Sequence, residues 1–263
     1  MLLYDYASSA TISTHLKERL RNWLPTRLKK HTIRAGPLAG LAIYTSWHDY
    51  PGAILGRTEK PLLDWFRRNV QNSETWIDIG AHYGYTAIAL ARLVGAEGRV
   101  VAFEPILTTA GCVARTREIN GLAQLTVVPF GLDSSSRLRI HRLPTVRGMA
   151  DSTLALNGWS EQILVGSFDS MWPSLCGPDS TIHGVKIDVQ GMELEVLRGM
   201  RETLQLHRPL VIVELHRGVD RQAVLDVLRE HGYVDSGEPI EPDEEPGRPQ
   251  YRDNCSYVFR PQP

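Results

Sequence analysis

The chain has 263 residues, 42% of them hydrophobic and 22% charged, and a formal net charge of −1. These values exclude a disordered or fibrous chain and suit one large globular core with appendages. Near-neutrality also removes the broad basic field that non-specific nucleic-acid binding relies on, so no nucleic acid is expected as a partner.

Residues 1–20 carry Asp5, His15, Lys17, Glu18 and Arg19 without an uninterrupted apolar stretch, so neither a signal peptide nor a transmembrane segment is expected. A cytoplasmic location follows as the expectation. Leu16, Leu20, Trp23 and Leu24 recur at helical spacing up to Pro25, after which Gly36, Pro37, Gly40, Pro51, Gly52 and Gly56 punctuate short strands or loops. Residues 61–70 read as an amphipathic helix with Pro61 in its first turn. From Thr75 short apolar strands alternate with helical segments: strands over 76–79, 99–103 and 125–130, helices over 85–94 and 107–119. This is the pattern of βαβ units in a parallel sheet covered by helices. Between 131 and 178 the rhythm breaks, leaving edge-type strands at 137–141 and 162–165 within loop. It resumes with strand 184–189, helix 192–204, strand 210–215, helix 221–231, a short strand at 232–234 and a last strand at 255–259.

Charge is uneven, with a basic run over 15–34 and an acidic one over 235–245, both read as solvated segments. The cysteines Cys112, Cys176 and Cys255 are odd in number and contain no Cys-x-x-Cys pair, which predicts neither a disulfide framework nor a cysteine zinc site.

The strongest local signal is Trp-Ile-Asp-Ile-Gly-Ala-His-Tyr-Gly-Tyr at 76–85, a strand ending in an acid and turning through Gly80 and Gly84 into a helix. Glycine permits the tight turn, and free amides at the helix start favour an anionic group. The spacing is Asp-x-Gly-x-x-x-Gly, whereas a nicotinamide or flavin fold uses Gly-x-Gly-x-x-Gly, with its middle glycine making room for a pyrophosphate. His82 stands in that place. Asp78 before the turn suits a ligand with a cationic amine, as in S-adenosylmethionine.

Glu104, at the end of the second strand in Ala-Phe-Glu-Pro, is placed to accept hydrogen bonds from the vicinal hydroxyls of a ribose. Asp188 closes the fourth strand and points to the same crevice, where Gly191 opens a helix. Glu193 and Glu195 in that helix's first turn suit its positive end. Glu214 and His216 end the following strand. His216, with an ordinary pKa near neutrality, is a candidate general base.

With these segments placed, the chain resembles the FkbM family of methyltransferases. The resemblance rests on Asp-Ile-Gly-Ala-His-Tyr-Gly-Tyr at 78–85, Ala-Phe-Glu-Pro at 102–105, Ile-Asn at 119–120, Ile-Asp-Val-Gln-Gly-Met-Glu-Leu-Glu-Val-Leu-Arg-Gly at 187–199 and Val-Glu-Leu-His at 213–216. It implies an α/β class I methyltransferase fold, a Rossmann-like doubly wound sheet of seven strands with the last antiparallel. Residues 1–70 would then be a helical or irregular N-terminal extension acting as a lid or oligomerisation segment, with a homodimer as one outcome, and 71–263 the S-adenosylmethionine-binding domain. The implied activity is O-methylation of a hydroxyl on a sugar or other small natural product. The expected cofactor contacts are Asp78, Gly80, Ala81, His82, Tyr83, Gly84, Glu104, Pro105, Phe130, Gly131 and Asp188. The family commonly has Asn where His82 stands, and Phe130-Gly131 is a loose match to its adenine site.

For transfer to an alcohol the acceptor's proton must leave. His216 is read as the base, with Asp188 orienting it or the substrate hydroxyl, and with Ser152 and Glu214 on the substrate side together with Asp151 and Thr153. The segment 131–178 and part of 1–70 would close over the cleft. No ligand spacing in the sequence marks a metal site, so none is expected. The competing version places Mg²⁺ on Asp169, Asp188, Glu214 and His216. Two further alternatives are a nicotinamide oxidoreductase and a catalytically inactive methyltransferase-like binding subunit.

Overall fold

The structure, a computed structural model, describes residues 21–150, 152, 160–177, 180–234, 236–241 and 250–263. The expectations for residues 1–20, Asp151, Thr153 and most of the acidic loop lie outside the described residues.

The described part begins with a hairpin, β1 (Lys29–Thr32) and β2 (Ala42–Thr45), followed by α1 (Pro51–Leu55) and α2 (Lys60–Asn69). The alternating stretch then gives β3 (Thr75–Ile79), α3 (Tyr85–Val94), β4 (Arg99–Phe103), α4 (Leu107–Asn120) and β5 (Leu125–Val128). After an inserted unit come β10 (Gly184–Ile187), α6 (Glu193–Arg198), α7 (Arg201–His207), β11 (Leu210–Leu215), α8 (Arg221–Glu230), β12 (Glu238–Pro239) and β13 (Cys255–Phe259). The insertion holds β6 (Gly131–Leu132), β7 (Arg139–Val146), β8 (Met149–Ala150), β9 (Ser160–Gly166) and α5 (Phe168–Cys176).

The central sheet has seven strands in the order β12-β13-β11-β10-β3-β4-β5. The pairs from β11 through β5 are parallel, and β13 runs antiparallel to both β11 and β12. This is the expected doubly wound sheet with its antiparallel late strand. Chain order reverses between β3 and β10, which opens a crevice beyond their carboxyl ends, where ligands bind in such sheets. Trp76, Ile77, Val185, Ile187, Val211 and Val213 are buried, as strands covered on both faces require. Gly184 lets β10 pass the indole of Trp76, since a Cβ there would lie 2.4 Å from the ring.

The N-terminal hairpin packs into the main core. Asn120 at the end of α4 donates to the Ala42 carbonyl (2.7 Å) and accepts from the Ala42 amide (2.9 Å), while Thr116 Oγ1 accepts from Tyr44 N (2.9 Å). Ile33, Ile43, Ile54 and Phe66 share one buried cluster with Trp76, Ile88 and Val113. Among the described residues no helix is long and apolar enough to cross a membrane.

Several elements differ from the sequence reading. The irregular stretch forms a four-stranded sheet, order β6-β9-β7-β8, plus α5. Pro173 inside α5 disguised that helix, whose start Ser167 caps by accepting from Ser170 N. The helix expected over 192–204 is broken into α6 and α7, because Gly199 presses on the Asp133 carbonyl so closely that a Cβ would lie 2.0 Å from its oxygen. The strand expected at 232–234 reduces to a single bridge between Tyr233 and Pro261.

Candidate active site

A cavity of about 290 Å³ opens at the carboxyl ends of β3, β4 and β10. Gly80, Ala81 and His82 line it from the first turn, Glu104 and Pro105 from the end of β4, Phe130, Gly131 and Leu132 from β6 and the segment before it, and Asp188 and Glu214 from β10 and β11. These are largely the groups the sequence nominated, brought together because every strand ends at the same edge of the sheet.

The turn itself is tightly integrated. Gly80 has φ +80°, and a Cβ there would lie 1.8 Å from the Asp188 carbonyl oxygen, so only glycine lets β3 and β10 approach this closely. The amides of Gly80 and Ala81 both donate to the Phe103 carbonyl, and that of His82 donates to Glu104 Oε2 at 2.9 Å. The expectation of free amides awaiting an anion is therefore corrected for these three, which tie the turn to β4. Glu104 is 4% exposed and also accepts from Ile106 N at 2.9 Å. Burial pushes its carboxyl up to about 8 in spite of those two bonds. Each oxygen keeps a further lone pair, which fits a pair of ribose hydroxyls.

Asp78 stands elsewhere than predicted. It is fully buried and does not line the cavity; Oδ2 accepts from Thr86 Oγ1 at 2.7 Å and Oδ1 lies 3.3 Å from Lys186 Nζ. Both of those partners do line it. Asp78 thus acts beneath the floor, through Lys186 and Thr86. Lys186 also donates to the Gly80 carbonyl at 3.2 Å and lies 3.3 Å from Asp188 Oδ2. Burial opposes its charge, but Asp78 and Asp188 outweigh burial and keep it protonated. The sequence offered one signal for this role, a lysine in the otherwise apolar β10, since a buried ammonium requires a carboxylate.

Tyr83 and Gly84 also shape the site without lining it. The Tyr83 hydroxyl donates to Asp49 Oδ2 at 2.9 Å, and Gly84, φ +84°, makes room for Val113, which a Cβ would approach to 2.9 Å. His82 lines the cavity with φ 49°, its ring between Tyr50 and Tyr83 and its Nε2 3.1 Å from the Arg147 carbonyl. Burial lowers its pKa to about 4, so the ring is neutral near neutral pH. Asp49, Tyr50 and Glu59, all from the N-terminal part, line the cavity and were missed. Glu59 caps α2 in a left-handed conformation (φ 52°), and burial followed by the charge of Asp188 raises its pKa.

On the opposite wall, Asp188 and Glu214 face the cavity and His216 sits behind them, 5% exposed and outside the lining. Its Nε2 is 3.6 Å from Asp188 Oδ1 and 3.4 Å from Glu214 Oε1. Its orienting partner is Glu193, fully buried, whose Oε1 is 2.7 Å from Nδ1 and also accepts from the amides of Val189 and Gly191. Glu193 thus holds Nδ1, while Asp188 lies on the Nε2 side and faces the cavity. Burial works against the charged ring, but the Glu193 bond and the charges of Asp188, Glu193 and Glu214 lift His216 to about 9, above the near-neutral value expected. Burial and the Asp188 charge raise Glu214 to about 8.

Asp169 is remote from this wall. Its carboxylate caps α7, accepting from Glu202 N (2.9 Å), Thr203 N (3.0 Å) and Thr203 Oγ1 (2.6 Å), which removes it from the Mg²⁺ set considered above. Ser152 is exposed, lies outside the cavity lining, and donates its hydroxyl to the Gln190 carbonyl at 2.8 Å. Glu195 bonds Ser134 and Arg198 on the surface, as expected of a residue without a site role.

Residues 78–234 match the model of the methyltransferase FkbM domain. The hexuronic acid methyltransferase AglP of Haloferax volcanii is 30% identical over 220 residues, covering 81% of this chain and 87% of that protein. Among solved structures, the methyltransferase FkbM of Methylobacillus flagellatus is 18% identical with a TM-score of 0.46, covering 75% of this chain and half of that one. The O-methyltransferase TomG of Streptomyces achromogenes, involved in tomaymycin synthesis and solved with S-adenosylmethionine, is 15% identical with a TM-score of 0.46, covering 77% of this chain and 79% of that one. The nicotinamide reading is thereby set aside: the chain belongs to the FkbM family and is an S-adenosylmethionine-dependent methyltransferase.

Proposed function

We propose that the enzyme transfers the methyl group of S-adenosylmethionine to a hydroxyl oxygen of a sugar-type small molecule, a uronic acid in particular. The observation that carries this reading is the wall formed by Asp188 and Glu214, which continues directly from the floor of Gly80, Glu104 and Lys186. Methyl transfer from a sulfonium is an in-line displacement on an activated carbon, so the protein's work is alignment and exclusion of water. Glu104 would take the ribose, Phe130, Leu132, Ile163 and Val165 the adenine, and Lys186 with Glu59 the charged amino-acid end. An acceptor hydroxyl reaching the methyl group meets Asp188 and Glu214 first and loses its proton into that cluster, with His216 as a positioning residue behind.

Arg147 and Arg21 line the same cavity and are suited to an acceptor carboxylate. The relative named for hexuronic acid supports this choice. The test is mass spectrometry of the purified protein with S-adenosylmethionine and matched uronic-acid and neutral sugars. A product methylated on the uronic acid and stable to mild base, as an ether is, is expected. A base-labile methyl ester would move the reaction to the carboxylate, and cofactor binding without turnover on the whole panel would favour the inactive-subunit reading.

A further inference from the structure

We infer that Asp188, Glu214 and His216 form a divalent-cation site in the acceptor wall, of the mixed nitrogen and oxygen kind that Mn²⁺ or Zn²⁺ fills, with Glu193 holding the histidine in place. The inference rests on the proposed placement of the acceptor hydroxyl at this wall and explains how that hydroxyl becomes acidic.

The ligand atoms are already gathered. One oxygen of Asp188, one of Glu214 and a nitrogen of His216 all lie within 4.8 Å of one another. Bonds of about 2.0–2.2 Å place neighbouring ligands about 3.0–3.5 Å apart, and the observed separations from Nε2 are 3.4 and 3.6 Å. A cation needs only a small closing movement of side chains. A mixed imidazole and carboxylate set favours Mn²⁺, Fe²⁺ or Zn²⁺ over Ca²⁺.

The second line of evidence is the histidine's orientation. His216 is 5% exposed, and its Nδ1 is taken at 2.7 Å by Glu193, itself fully buried and anchored by the amides of Val189 and Gly191. A metal-ligating histidine characteristically gives its second nitrogen to a carboxylate in this way, which fixes the tautomer and aims the other nitrogen. Nε2, so aimed, makes no hydrogen bond to any described residue and faces two carboxylate oxygens. Two carboxylate oxygens and this nitrogen therefore converge on one point, the arrangement a divalent cation takes up. Lys186 engages Oδ2 of Asp188 and leaves Oδ1 turned to His216. The sequence offered these three residues together with Asp169 as a competing Mg²⁺ set; pairing of β10 with β11 brings the three together, while Asp169 caps α7.

With Asp188 and Glu214 on the cavity lining, a cation there has an open side facing the acceptor. A bound hydroxyl would be polarised and made a better nucleophile, its proton leaving to solvent or to a free carboxylate oxygen.

The test is calorimetry and electron paramagnetic resonance of EDTA-stripped protein titrated with Mn²⁺, on the wild type and on Asp188→Asn, Glu214→Gln, His216→Ala and Glu193→Gln, each checked for folding by circular dichroism. One Mn²⁺ per chain is expected for the wild type. Loss of Glu214 or His216 should abolish it, and Glu193→Gln should weaken it by about 10–100-fold, as loss of the carboxylate that orients a ligating histidine does. No Mn²⁺ uptake by the wild type, or uptake unchanged in Glu214→Gln and Asp188→Asn, overturns the inference; those isosteric variants carry the test if His216→Ala misfolds. Titration of the same stripped protein with S-adenosylhomocysteine separates the two readings. Heat there without Mn²⁺ uptake leaves the methyltransferase reading standing and removes the cation.

Discussion

Lys186 and Asp78 stand opposite each other in register on the adjacent parallel strands β10 and β3, with Nζ 3.3 Å from Oδ1 and both side chains buried. This cross-strand pair is the charged floor under the cofactor cavity. Removing one partner of a buried pair leaves the other uncompensated, at a cost of about 3–5 kcal/mol. Lys186→Met is therefore expected to destabilise the protein by about that amount in urea unfolding. The double variant with Asp78→Asn should recover part of the loss. If the single and double variants are equally unstable, the pair is not coupled in the way described.

Glu104 links cofactor binding to pH. Its folded-state pKa of about 8 is raised above the ordinary 4.5, so in the ligand-free protein its contribution to stability is fully present below pH 4.5 and is lost as pH rises through 8. Glu104→Gln does not titrate. Between pH 4.5 and 8 its unfolding free energy should fall less steeply than that of the wild type, measured by urea denaturation at several pH values. The same variant should bind S-adenosylhomocysteine roughly 10–100-fold more weakly, the scale of a lost charged hydrogen bond. Parallel pH curves, or unchanged affinity, would contradict the assignment.

Gly80→Ala tests the close approach of β3 and β10. A methyl group at φ +80° and 1.8 Å from the Asp188 carbonyl has to push the two strand ends apart. The backbone strain alone costs roughly 1–3 kcal/mol. We expect a lower melting temperature together with weakened S-adenosylhomocysteine binding. A variant with wild-type stability and affinity would show that the strands separate freely here.

Asp169 provides the contrasting case. It caps α7 from the neighbouring α5, away from the cavity, so Asp169→Ala should lower stability by about 1–2 kcal/mol. Methyl transfer per folded molecule should be unaffected. A specific loss of kcat with intact stability would return this residue to the active site.

Much of the fold was legible because its determinants are local. The alternation of apolar strands and helices is a matter of period, and β3, β4, α3 and α4 fall where it put them, as does the antiparallel β13. The four-stranded insertion was legible only in part. Strands were expected at 137–141 and 162–165, which overlap β7 and β9, but not the full length of β7 or the pairing with the two-residue strands β6 and β8. The helix α5, which carries Pro173 in its interior, was not expected from the sequence.

By itself the sequence determined that a glycine turn follows a strand ending in Asp78, and that Glu104, Asp188 and Glu214 stand at the ends of three further strands of one parallel sheet, because strand period and turn chemistry act over a few residues. Which of these acids faces the ligand was decided only by tertiary structure. Pairing β3 with β10 sets Lys186 over Asp78 and turns that carboxylate into support, while Glu59 arrives from a segment with no sheet pattern. The buried Glu193–His216 contact is likewise a product of packing α6 against β11. Direction within the crevice depends on contacts between residues far apart in the chain, and no local pattern encodes the partner that neutralises a buried charge.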